Sequence, residues 1–181
     1  KKNGALRNGI LGLYLNRRDF ASGGLSFTPN TLEQAAAVFA YQEAQWETFG
    51  IHGSLRFDAH TIQPRDERLS RTVGQIRNRR FQGVSASLSP HWQANERLEL
   101  HLTWMRTFRA PNTEELFSEG PHLAAYSYEI GNADLQDERG NGYEVGFKYK
   151  WGRTDIHGAL FFNDIENYTF PRNTGERSWR R

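Results

Sequence analysis

The sequence predicts an all-β chain: an antiparallel, up-and-down transmembrane β-barrel, present here as an open partial barrel of about seven strands. Three observations predict it. Apolar and polar residues alternate with period two over successive segments, the connections between segments alternate between short and long, and tryptophans sit beside the short ones. The cleanest segment is the fifth, Arg97–Phe108, where Leu98, Leu100, Leu102 and Trp104 interleave with Glu99, His101, Thr103 and Met105. Such alternation gives a strand two faces of different character.

In chain order the strands are read as Leu6–Asn16, Gln34–Trp46, Gly50–His60, Phe81–Gln93, Arg97–Phe108, Gly142–Trp151 and Thr154–Asn163. Ala35-Ala36-Ala37 makes the second the weakest of these readings, because alanine also suits a helix. The connections Glu47-Thr48-Phe49, Ala94-Asn95-Glu96 and Gly152-Arg153 are short; Arg17–Glu33, Thr61–Arg80, Arg109–Asn141 and the stretch from Tyr168 onward are long. An outer-membrane barrel has this rhythm, with tight periplasmic turns and extended extracellular loops. Trp46, Trp92 and Trp151, three of the five tryptophans, fall beside the short turns, as an interfacial aromatic girdle requires. At the other rim the candidates are Phe57, Phe81, Phe108, Tyr143 and Phe162. The plain alternative is that these are core aromatics of a soluble β domain.

Parity assigns the faces. In the third strand Ile51, Leu55 and Phe57 face lipid, while His52, Ser54, Arg56, Asp58 and His60 face a wet lumen; in the sixth, Tyr143, Val145, Phe147, Tyr149 and Trp151 face lipid, and Glu144, Gly146, Lys148 and Lys150 face the lumen.

The bulk numbers fit this reading only on reflection. With 181 residues, no cysteine and a net charge of +2, and a mean hydropathy of −0.76, the chain has the composition of one soluble domain. Its longest apolar run, Ala35–Tyr41, has seven residues, whereas a membrane helix needs about 20. A barrel shows lipid only every second residue, so low hydropathy does not exclude it. Lack of cysteine removes disulfides and thiolate metal sites. No basic segment followed by an apolar one opens the chain, so no signal peptide is expected; with strand pattern near the start and loop pattern at the end, residues 1–181 read as a fragment.

The fifth strand runs into a corner at Ala110-Pro111, since proline cannot donate to a ladder. Asn112 or Thr113 then offers an N-cap, with Glu114 and Glu115 in the first turn of a short helix ending near Phe117. The loop that follows is far longer than a compact domain needs, and such loops carry function.

Phe108-Arg109-Ala110-Pro111, Glu115-Leu116, Gly131-Asn132, Leu135, Glu138 and Tyr143-Glu144-Val145-Gly146 together resemble the β-barrel domain of TonB-dependent outer-membrane receptors. Gly120-Pro121-His122 with Tyr128-Glu129-Ile130-Gly131 is most similar to the zinc- and haem-uptake branch. The resemblance implies part of a C-terminal barrel of about 22 strands in the outer membrane of a Gram-negative bacterium, without the plug, the TonB-contacting segment or the last strands. It also implies active import of a scarce nutrient, with TonB as the energy-coupling partner. Seven strands cannot close such a barrel, so an open sheet is expected. The rivals are a passive porin or structural barrel, and a soluble carbohydrate-binding module whose outward face would alternate polar.

No enzymatic constellation is present: carboxylates are scattered, Ala21-Ser22-Gly23-Gly24 lacks a phosphate-binding pattern, and no helical metal motif occurs. The chemistry expected is binding, with no tightly held cofactor. For a metal the candidates are His122 with Glu119, and Asp58 with His60, because imidazole and carboxylate suit zinc. The alternatives are an ordinary loop histidine and lumen-lining side chains. Arg109, Tyr126 and Tyr128 are candidates for an anionic chelate or haem propionate; alternatively, Arg109 ties the loop down through Glu114 or Glu115. Zinc, haem, a ferric siderophore, cobalamin and an oligosaccharide all remain compatible as cargo. The basic stretch Gln63–Arg80 is either a solvated loop or a contact for lipopolysaccharide phosphates, which with outer-membrane lipid would be a partner; nucleic acid is not expected, since no basic stripe carries stacking aromatics.

Overall fold

The computed structural model describes residues 5–21, 23 and 27–175. Ser22, Gly24 and the arginine-rich end lie outside this set. The elements are β1 (Ala5–Phe20), β2 (Thr31–Gln45), β3 (Phe49–Pro64), β4 (Arg68–Ser70), β5 (Gly74–Ile76), β6 (Arg79–Gln93), β7 (Leu98–Arg109), α1 (Thr113–Phe117), β8 (Glu119–His122), β9 (Ser127–Ile130), β10 (Glu138–Trp151) and β11 (Thr154–Glu166). Seven long strands form one antiparallel sheet in the order β1-β2-β3-β6-β7-β10-β11. The sheet is open, as expected, with β1 and β11 at its edges.

Register fixes the faces. Val38, Phe57 and Val84 lie opposite one another on β2, β3 and β6, and Leu102 lies opposite Val145 on β7 and β10. These side chains are all exposed, Leu102 by 53% and Val145 by 54%, and so is Leu55 on the same face of β3, by 58%. A face of bare leucine, valine and phenylalanine is a lipid-facing surface, and it disposes of the soluble module. Trp46, Trp92 and Trp151 are likewise exposed beside the short turns.

The opposite face is polar and internally bonded. Arg56 grips Asp58 through two hydrogen bonds of 2.8 and 2.7 Å and lies over the rings of Tyr14 and Phe39. Ser54 and Ser87 are 2.7 Å apart, and Lys148 donates to Glu99 at 2.8 Å. Large side chains on this face lie over a glycine of the neighbouring strand. A Cβ on Gly12 would stand 2.2 Å from the Phe39 ring, and one on Gly146 would stand 2.4 Å from His101. Only glycine leaves that space.

Two expectations need correction. The strands run further towards the long loops than their hydropathy suggests: β1 reaches Phe20, β3 reaches Pro64 and β10 begins at Glu138. Ladder hydrogen bonds continue beyond the apolar band, where either face can be polar without cost. Phe81 and Phe108 are not rim aromatics. Phe81 is buried and Phe108 packs with it against a cluster of Ile62, Val73, Ile76, Leu116, Phe117 and Ala133. The β6–β7 ladder stops at Ala86 and Arg106, and beyond it the Phe108 ring occupies the space over Gly83. Phe57, Tyr143 and Phe162 are exposed on the outer face.

Candidate functional site

The buried cluster lies at the long-loop end, where β4–β5, α1 and β8–β9 form a cap. Its helix starts as the sequence indicates. The Asn112 side chain accepts from the Glu115 N–H at 2.8 Å, and the Asn112 N–H donates to Glu115 Oε2 at 2.9 Å, a reciprocal capping box. Leu116 and Phe117 are thereby turned inward and are fully buried. Gly131 passes so close to the helix end that a Cβ would stand 2.8 Å from the Glu115 carbonyl oxygen, and Asn132 N–H donates to that oxygen at 2.9 Å.

Arg109 anchors the cap to the wall. Its guanidinium donates to both oxygens of Glu138, at 2.8 and 2.6 Å, and to Glu115 at 2.9 and 3.0 Å. These residues lie at the far ends of β7, of 12 residues, and β10, of 14, beyond the roughly 9–11 that cross a bilayer. The guanidinium, helped by the Thr169 N–H, holds the Glu138 carboxyl down at about 2 and is itself raised by its two carboxylates. Arg109 is thus occupied by Glu138 and Glu115, the second of which is one of the two partners weighed from the sequence.

Glu119 is a second anchor. It accepts from the Ser70 hydroxyl at 2.6 Å and from Thr72, with Arg68 at 3.7 Å. The two hydroxyls, then the Arg68 charge, hold its carboxyl below the ordinary carboxylate range. Beside it a cavity of about 300 Å³ is lined by Phe27, Thr28, Pro29, Asn30, Arg65, Asp66, Arg68, Phe117 and Glu119. Glu119 and His122 stand three positions apart, so the β8 pleat sends them to opposite faces.

His122 has a different partner, Glu129, whose carboxylate lies 2.6 Å from Nδ1 across the β8–β9 hairpin. Its ring stacks on Phe27 with centroids 4.9 Å apart. Tyr126, in the left-handed conformation at φ 50°, is 97% exposed, and Tyr128 is 46% exposed. His122, Tyr126 and Tyr128 therefore share one exposed hairpin. Asp58 and His60 sit elsewhere, on the inner face of β3, 3.6 Å apart with Arg56 on the same carboxylate. Among the described residues no three histidine, aspartate or glutamate side chains converge as a metal site.

Glu138, Glu129 and Phe27 are the participants that reading the sequence for sites missed. Glu129 becomes visible only once Pro121 is paired with Tyr128, and nothing in the run Gly120–Ser127 marks a hairpin turn. Glu138 stands among the residues that carry the family resemblance, without a role that spacing supplies.

Fold and faces define the class: a section of an antiparallel membrane barrel wall carrying an elaborated loop cap. The TonB-dependent receptor-like β-barrel family matches residues 4–178, and the chain belongs to that family. Among solved structures it is similar to a double mutant of the Serratia marcescens haemophore receptor HasR in complex with its haemophore HasA and haem. The two share 20% sequence identity at a TM-score of 0.63, covering 88% of this chain and 33% of that one. The chain thus spans about a third of the length of that relative.

Proposed function

We propose that this chain is part of the wall and extracellular mouth of a Gram-negative outer-membrane receptor that captures haem or a metal chelate and imports it with energy delivered through TonB. Family membership supports the energised receptor over a passive pore. The observation that carries the cargo class is His122. Glu129 occupies its Nδ1, which leaves Nε2 as the nitrogen for a ligand; a carboxylate behind an imidazole fixes the ring and strengthens it as a donor to iron or zinc. Tyr126, at the turn of the same hairpin, offers an aromatic face and a hydroxyl to a flat, partly apolar ligand, while Tyr128, paired with Pro121, leaves the hairpin on the other face from His122. The haem in the HasR complex agrees with this choice. Arg109 and Glu119 serve the cap in this reading, not the cargo.

The test is calorimetry on the full-length receptor in detergent, titrated separately with haem and with zinc, for wild type, His122→Ala and Tyr126→Ala. Haem binding weakened about tenfold or more by His122→Ala is the expected result. Unchanged haem affinity in that variant would remove the hairpin from the capture site.

A further inference from the structure

Arginines at the long-loop end fall into two groups. Arg18, Arg65 and Arg109 each hold a carboxylate: Glu33, Asp19 and the Glu115–Glu138 pair. Arg17 and Arg80 hold none among the described residues, and both are exposed. The register puts them on one hydrogen-bonded row. Arg17 lies opposite Gln34, Gln34 opposite Thr61, and Thr61 opposite Arg80. Directly paired residues share a face, so the four side chains form a band across β1, β2, β3 and β6. At about 4.8 Å per strand the band is roughly 14 Å wide.

The band stands on the lipid-facing side. Two rows below it runs the row of Leu13, Val38, Phe57 and Val84, and Leu13 is 79% exposed. The outward positions of β1 read Leu11, Leu13, Leu15, then Arg17; those of β6 read Leu88, Ala86, Val84, Gln82, then Arg80. Apolar surface therefore passes directly into Arg17 on β1 and through Gln82 into Arg80 on β6, two cations that hold no carboxylate among the described residues, with an amide and a hydroxyl between them. No carboxylate belongs to the row, and the adjacent Asp19 is engaged by Arg65. What covers a surface just above lipid tails is the headgroup of that lipid, and guanidinium groups select phosphate.

We infer that Arg17, Gln34, Thr61 and Arg80 form a seat for the phosphorylated headgroup of an outer-leaflet glycolipid. This rests on the outer-membrane reading above and narrows the lipopolysaccharide contact to Arg80, the last residue of the basic stretch, joined by residues of the outer barrel wall. The two arginines reach the phosphates while their aliphatic stems lie along the apolar surface below.

The experiment uses the full-length receptor in detergent, with binding of purified lipopolysaccharide followed by the rise in thermal midpoint. Wild type, Arg17→Gln/Arg80→Gln and Arg71→Gln, an exposed arginine in the β4–β5 turn, are compared. The double variant should weaken lipopolysaccharide binding about tenfold or more and flatten its salt dependence, while Arg71→Gln leaves both unchanged. Dephosphorylated glycolipid should bind wild type and double variant alike. An undiminished response in the double variant overturns the seat, and so does an equal response to inorganic phosphate, which marks a general anion site. Insertion into phospholipid vesicles free of lipopolysaccharide separates the two readings: a receptor that inserts but shows no arginine-dependent response loses only the seat, whereas one that does not insert loses the membrane reading as well.

Discussion

Strand β3 passes through two environments. Near its middle Leu55 and Phe57 are 58% and 43% exposed, while Ile62, a few residues on, is 6% exposed beneath the cap. The wall has no apolar interior and shows its leucines outward, whereas the cap is organised like a small soluble domain, with Phe117, Leu116 and Ile76 fully buried. One region is held by its strand ladders and turns its apolar side chains to its surroundings. The other is stable because it excludes water, and it needs a capped helix to turn its apolar side chains inward, which the wall does without.

Changes aimed at each region should therefore have opposite rules. The largest effect is expected in the cap: Phe117→Ala removes a fully buried ring and should cost about 3–5 kcal/mol of cap stability, read as loss of hydrogen-exchange protection across residues 110–137 of the full-length receptor while the strands stay protected. Next comes the wall. Leu102→Arg puts a charge on the lipid face and should destabilise the barrel by about 2–4 kcal/mol, whereas Thr103→Arg, one residue on and facing the lumen opposite Glu144, should cost under about 1 kcal/mol. Denaturant unfolding in vesicles compares the two, and equal costs would mean the faces are wrongly assigned.

Glu138→Gln tests the joint between the regions and should loosen the cap by about 1–3 kcal/mol. Because the folded carboxyl sits at about 2 and an unfolded glutamate near 4.3, its stabilisation is complete above the unfolded value and disappears as pH falls through about 2. Limited proteolysis between pH 5 and pH 2 should show the wild-type cap opening with acid, with a smaller response in the variant. The smallest effect is expected from Asn112→Ala, about 1 kcal/mol from the lost helix cap, again confined to exchange in the cap.

The same division decides what the sequence reveals. A wall strand is written in its own alternation, so Leu98–Trp104 and Tyr143–Trp151 could be read without any partner in view. The helix cap at Asn112 was equally local. Phe81 and Phe108 were not, because parity says which side a ring leaves the strand and not whether a loop folds over it. The hairpins β4–β5 and β8–β9 carry no strong turn pair, and the bonds that hold them run to distant residues: Glu119 to Ser70, Asn132 to Glu115, Ala133 N–H to the Val73 carbonyl. Of the candidate site, His122 with its two tyrosines was found as a group of residue types, while the carboxylate that fixes the imidazole required the fold.

The glycines beneath Phe39, His91, Met105 and His101 have a mechanical consequence. Large side chains that lie over bare backbone give the inner surface lower relief than their size alone would. A Cβ at any of these four positions would meet the side chain above it closer than contact allows, so the relief of the inner face is set by the bare backbone as much as by its large residues.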